Sequence, residues 1–137
     1  MKEILIANGL SVEHLKHIKD LEMTCGSHER LSMKLNWDML NTRSKEENND
    51  FLYYENSQLI GFIGLYAFGP KPKEIELTGM VHPKYRQKGI FKSLFCEAKK
   101  ECLSRKAERI LIITERSSPS GIEFTKSIGA QYTFSEF

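Results

Sequence analysis

A mixed α/β fold, with a central mixed, twisted sheet flanked by helices, is predicted by three observations in this chain. Short strand-like apolar runs recur at residues 3–7, 51–55, 59–68 and 75–81, each bounded by turn formers. Apolar residues at helical spacing lie between them, most clearly Phe91, Leu94, Phe95, Ala98 and Cys102. Residues 109–114 (RILIIT) form an unbroken apolar core, as a strand covered on both faces requires. The order of elements is β-α-α-β-β-β-α-β-α-β.

A chain of 137 residues fits one domain, residues 1–137, and buries roughly two-thirds of the surface its unfolded form exposes. It is 40% hydrophobic and 28% charged with a formal net charge of +2, so charge alone implies no nucleic-acid partner. No apolar run approaches the roughly 20 residues of a membrane span. Met1-Lys2-Glu3 leads into a strand rather than a signal sequence. Cys25, Cys96 and Cys102 are odd in number and lack C-x-x-C spacing, which reads as reduced thiols and a cytoplasmic location.

In chain order, residues 3–7 (EILIA) form a strand closed by Asn8-Gly9. Ser11 caps a helix from Val12, with Leu15, Ile18 and Cys25 near helical spacing. His14 and His17 lie three apart on it, but nothing completes a zinc pattern, so no metal site is assigned. A second helix is expected over residues 29–40, carrying Leu31, Leu35 and Met39 on one stripe. Met33 and Trp37 lie off that stripe. They read either as core residues or as the wall of an acceptor pocket. Residues 41–50 (NTRSKEENND) read as a solvated loop, or as an acidic border for a cationic amine.

Residues 51–55 and 59–68 form a hairpin around Asn56-Ser57-Gln58, where Gly61 and Gly64 call for a bulge or a close contact. After the fifth strand, residues 117–120 (SSPS) break the chain and cap a final helix ending at Gly129. Residues 131–135 (QYTFS) have strand character.

Residues 74–92 (EIELTGMVHPKYRQKGIFK) organise the whole: an alternating strand, a basic glycine-bearing turn, then a helix start. A helix N-terminus leaves backbone N–H groups unpaired and partly positive, so this turn is a ready cradle for phosphate oxygens. Arg86 and Lys88 lie in it, flanked by Lys84 and Lys92.

The segment V-H-P-x-Y-R-x-K-G-I-F and its setting resemble motif A of the GNAT N-acetyltransferase family, over nearly the whole chain. That family's R/Q-x-x-G-x-G/A turn holds the pyrophosphate of acetyl-CoA, and here it reads Arg86-Gln87-Lys88-Gly89-Ile90-Phe91. Phe91 stands where the family has a small residue. The resemblance implies that coenzyme A enters a splay between strands four and five. Met80 and Val81 would then pair with its pantetheine arm, and the N–H groups of Gln87, Lys88, Gly89, Ile90 and Phe91, with Arg86, would take the diphosphate. Ser118 corresponds to a cofactor-contacting asparagine, Gly121 to an alanine, and Thr125 to a frequent tyrosine acid. The family's seventh strand is not present before Phe137, so a second protomer, a second domain or a longer parent protein would complete the sheet edge.

Acetyl transfer needs a neutral amine and hence a base. Glu74, Glu76, Thr78 and Met80 share one face of the strand, opposite Ile75, Leu77, Gly79 and Val81. Glu76 is the first candidate base and Glu74 the second, the alternative being an open sheet surface. An N–H near Val81 would polarise the thioester carbonyl. The expected activity is transfer of acetyl from acetyl-CoA to a primary amine, on a small molecule or a peptide, by direct attack in a ternary complex. A catalytically weak acyl-CoA-binding or regulatory domain is the second reading. A nucleic-acid module is disfavoured, because the basic cluster is short and lacks an aromatic platform beyond Tyr85.

Overall fold

The computed structural model describes residues 2–29, 35–67 and 74–113. Its elements are β1 (Lys2–Ala7), α1 (Val12–Glu29), α2 (Trp37–Leu40), β2 (Asp50–Glu55), β3 (Gln58–Ala67), β4 (Glu74–Val81), a 3-10 turn (Pro83–Tyr85), α3 (Ile90–Ser104) and β5 (Arg109–Ile112). The mixed α/β architecture and the order expected from the sequence are found through β5. The final helix, the strand at 131–135, Ser118, Gly121 and Thr125 lie outside the described residues.

The sheet runs β1-β2-β3-β4-β5. The first three pairings are antiparallel and β4–β5 is parallel, with α3 as the crossover that a parallel pair requires. Ile90, Leu94, Ala98 and Cys102 recur every four residues on α3 and are buried against Ile75, Leu77 and Val81 of β4. On the other face, Ile18, Leu21 and Cys25 of α1 and Leu40 of α2 pack on Leu52, Phe62 and Tyr66. Alternation along β4 thus feeds two separate cores, so a one-residue slip would put Glu76 into the α3 core.

Several expectations about the early chain are corrected. α1 runs from Val12 to Glu29, and the second helix is described as the short α2, Trp37–Leu40, rather than a helix over 29–40. The physical reason is a fresh cap: the Asn36 side chain accepts the Met39 N–H at 3.2 Å and starts α2 anew. Leu31 and Met33 lie outside the described residues. Ser11 caps α1 as expected, accepting from His14 N at 3.0 Å, and His14 Nδ1 returns the favour to Ser11 N at 3.3 Å. His17 Nδ1 meets the Tyr54 hydroxyl at 2.9 Å. Cys25 and Cys102 are buried and Cys96 is exposed.

The hairpin turn is Asn56-Ser57 alone, both residues with positive φ (50° and 69°), the geometry that matches the twist of two-residue hairpins. Tyr53 pairs with Gly61 but Tyr54 with Leu59, so Ile60 is the extra residue of a bulge beside Gly61. The polar loop before β2 is not simply solvated. Asn49 and Asp50 are buried, and Arg43 reaches Asp50 with two hydrogen bonds, at 3.0 and 3.1 Å. Arg105, just past α3, ties the same loop from the other side, donating to Asn48 O at 2.8 Å and Asn49 Oδ1 at 3.0 Å. Among the described residues, no helix is long and apolar enough to cross a membrane.

Candidate active site where β4 outruns β5

Among the described residues, β5 pairs with β4 from Glu74 to Leu77, and a further bond runs from Ile113 N to Leu77 O at 2.9 Å. β4 continues to Val81, paired on its other side with β3 throughout. Backbone direction alternates along a strand, which assigns each group to one side. His82 N donates to Ile60 O at 2.8 Å, so Met80 also turns its backbone toward β3, while Gly79 and Val81 turn toward β5's side. Of the two expected arm-binding positions, Val81 alone turns its backbone away from β3. The backbone of Met80 is used by the sheet, and Gly79 with Val81 faces the gap.

The Val81 carbonyl is already occupied. It accepts from Arg86 Nε at 2.9 Å and from the Cys25 thiol at 3.4 Å. Arg86 therefore anchors the end of β4, a use that its place in a basic turn did not reveal. Lys88 Nζ lies over the Tyr85 ring, 5.4 Å from its centroid. The His82 side chain accepts from Lys84 N at 3.1 Å and its ring meets Tyr85 edge-on, so the turn after β4 is braced from within.

The cradle lies at the start of α3. Gln87 and Gly89 both have positive φ (62° and 79°), and Gly89 is the left-handed N-cap with no side-chain cap bond. The first helical bond is from Ser93 N to Gly89 O at 3.0 Å, so the first-turn N–H groups of Ile90 and Lys92 have no intrahelical acceptor. Gln87 is a non-glycine residue in a sparsely populated region, and it stands at this candidate anion site. Gln87, Lys88 and Gly89 are exposed, whereas Ile90 is buried and anchors the helix.

Phe91, the departure from the small residue of motif A, has a structural explanation in Gly79. A Cβ on Gly79 would lie 2.9 Å from Phe91 Cε2, 2.9 Å from Ile63 Cγ1 and 2.5 Å from the Phe62 carbonyl oxygen. The ring thus fills the space that a side chain at position 79 would need. Gly79→Ala is expected to destabilise the protein by about 1–3 kcal/mol, since backbone cannot yield as a side-chain tip does. Denaturant unfolding measures it, and an unchanged midpoint would remove the claim that Phe91 and Gly79 are matched.

On the opposite face of β4, Glu76, Thr78 and Met80 are half-buried, beneath the side of the sheet that α1 and α2 cover. Glu76 makes no hydrogen bond or ion pair with the described residues, and it sits one residue before the β4–β5 pairing ends. Glu74 differs: it is exposed and lies 3.7 Å from Arg109. Trp37 is half-buried against the α1–α2 core, and its Nε1 donates to both Glu22 carboxylate oxygens at 3.2 Å. Glu22 also accepts from Leu35 N at 2.9 Å, which locks α2 to α1.

The site sequence reasoning missed is Tyr66. Its hydroxyl accepts from Thr78 Oγ1 at 3.2 Å and from the Asn36 backbone, and the Arg43 guanidinium lies 4.9 Å from its ring centroid. Burial pushes its hydroxyl pKa up, against the pull of Thr78 and Arg43. Tyr66 lay inside a run that read as plain strand, and only its register with Glu76 brings it to the site.

Comparison with known proteins agrees with this fold. The family model described as the acetyltransferase (GNAT) family matches residues 15–130, and the chain belongs to that family. Among solved structures, the PaiA N-acetyltransferase of Thermoplasma acidophilum, in complex with coenzyme A, is similar with a TM-score of 0.74 and 21% identity, covering 93% of this chain and 88% of that one. A GNAT-family acetyltransferase of Staphylococcus aureus gives a TM-score of 0.74 at 15% identity, covering 94% and 84%. One from Streptococcus pneumoniae gives 0.68 at 21%, covering 96% and 88%. No curated protein sequence matches the chain.

Proposed function

We propose that this protein is an acetyl-CoA-dependent N-acetyltransferase that acts on a primary amine in a ternary complex. The observation that carries the reading is the adjacency of two features: a stretch of β4 backbone, Gly79 to Val81, with no partner on β5's side among the described residues, and a donor-rich helix start a few residues later. Gly79 and the Val81 N–H suit the amides of a pantetheine arm. The N–H groups from Gln87 to Phe91, with Lys88 nearby, suit a diphosphate. Coenzyme A in the Thermoplasma structure supports the choice of ligand.

Glu76 is the base in this reading. It takes a proton from the acceptor ammonium, whose nitrogen then bonds to the thioester carbonyl carbon. The Val81 N–H stabilises negative charge on that oxygen. The carbon–sulfur bond breaks, the bonded nitrogen loses its second proton to solvent to become the amide, and solvent protonates the leaving thiolate. The acceptor is a small-molecule or peptide amine, approaching on the Glu76–Met80 face. Glu74 is the weaker candidate because Arg109 already pairs with it.

The test is release of free thiol from acetyl-CoA with a panel of primary amines: an aliphatic diamine, an amino-acid amide, a peptide amino terminus and an aminoglycoside. Calorimetry with coenzyme A runs alongside. Thiol release above background with at least one amine is the expected result. Coenzyme A affinity with background release across the panel would instead establish an acyl-CoA-binding domain.

A further inference from the structure

We propose that Thr78 is a specificity-determining contact for the acceptor, and that Tyr66, backed by Arg43 and Asp50, is the positioning residue that sets the direction of its hydroxyl. The proposal deepens the acetyltransferase reading and rests on it. Thr78 follows Glu76 on the same face of β4, about 6.6 Å along the strand, so one amine nitrogen fits between the two side chains. Thr78 Oγ1 gives its proton to Tyr66 Oη at 3.2 Å. Its oxygen is then left with lone pairs only, which suits an N–H donor. An ammonium held there has one N–H on Thr78 while Glu76 accepts another.

Tyr66 cannot serve as that contact itself, because it is only 2% exposed. Its side chain is instead held from three sides. The Asn36 backbone holds it from the start of α2, and Thr78 meets it from β4. Arg43 covers its ring while binding Asp50 bidentately. Gly64 makes room for the convergence: a Cβ there would lie 3.1 Å from Tyr66 Oη and 3.3 Å from Asp50 Oδ1. A threonine that merely completed a cross-strand pair would need none of this rigid backing. A group that must present lone pairs in one direction does.

The experiment compares Thr78→Val, Thr78→Ser and Tyr66→Phe on the intact protein, using the best acceptor of the amine panel. Thr78→Val keeps the shape and removes the oxygen. It is expected to raise acceptor KM at least tenfold while kcat and the coenzyme A Kd stay within twofold. Thr78→Ser should restore KM to within about threefold of the unsubstituted protein, and Tyr66→Phe should raise it severalfold. A purely structural threonine would lower the unfolding midpoint without moving KM, and that outcome overturns the inference while leaving the acetyltransferase reading intact. Should Thr78→Val fail to fold, Tyr66→Phe decides: an unchanged acceptor KM there overturns the inference. Absence of turnover across the whole panel, with coenzyme A still bound, overturns the reading and the role of Thr78 together.

Discussion

Glu76→Gln is expected to lower kcat by about 10²–10⁴, the usual worth of a positioned general base, while changing the coenzyme A Kd by less than twofold. The expectation follows from placement. Glu76 is half-buried on the face proposed for the acceptor, has no partner among the described residues, and lies one residue before the last described β4–β5 pair. Glutamine keeps its size and hydrogen bonding but cannot take the proton. Initial rates of thiol release and calorimetry on the same preparations measure both quantities. A small and equal change in rate and affinity would remove Glu76 as the base. Glu74→Gln is expected to have the smaller effect, because that carboxylate is exposed and shared with Arg109.

Asp50→Ala is expected to destabilise the protein by about 3–5 kcal/mol at neutral pH. Asp50 is fully buried and Arg43 nearly so, with 0% and 4% of their side chains exposed, so removing the carboxylate leaves a buried guanidinium without its counter-ion. The intact pair is not itself a large source of stability. Burial pushes the Asp50 carboxyl from 3.8 up to about 6, outweighing the attraction and hydrogen bonds of Arg43. The folded state therefore binds this proton more tightly than the unfolded state does. Its contribution is most favourable below pH 3.8 and declines as pH rises to about 6, by about 3 kcal/mol in total. Urea unfolding across that range should show the unsubstituted protein losing stability relative to Asp50→Asn as pH rises. A constant difference would mean that Asp50 does not titrate there. A double replacement, Arg43→Met with Asp50→Asn, should recover most of what Asp50→Ala loses, because neither buried charge remains.

The strand, turn and helix of residues 74–92 were legible because each depends on local chemistry. Alternation in β4, Pro83 at the turn and the four-residue repeat of Ile90, Leu94, Ala98 and Cys102 act over a few residues. The boundary between α1 and α2 was not, because a polar cap at Asn36 outweighed a stripe of apolar residues. The loop at 41–50 misled for a related reason. Charged residues read as solvated until a partner is known, and the partners of Asp50 and Asn49 are Arg43, seven residues away from Asp50, and Arg105, 56 residues away from Asn49.

By itself the sequence determined the mixed α/β class and the order of elements through β5 from periodicity and short-range steric preference, and its resemblance to motif A picked out the turn. Only the tertiary structure decided which backbone groups face the gap, since strand pairing with β3 consumes Met80 and spares Gly79 and Val81. It also decided that Arg86 serves the Val81 carbonyl, that Phe91 fills the space above Gly79, and that Tyr66 backs Thr78. Each of these is a contact between segments whose spacing along the chain carries no signal. The direction of a hydrogen bond or the room for a ring is fixed by register and packing, which exist only once the sheet has closed on its helices.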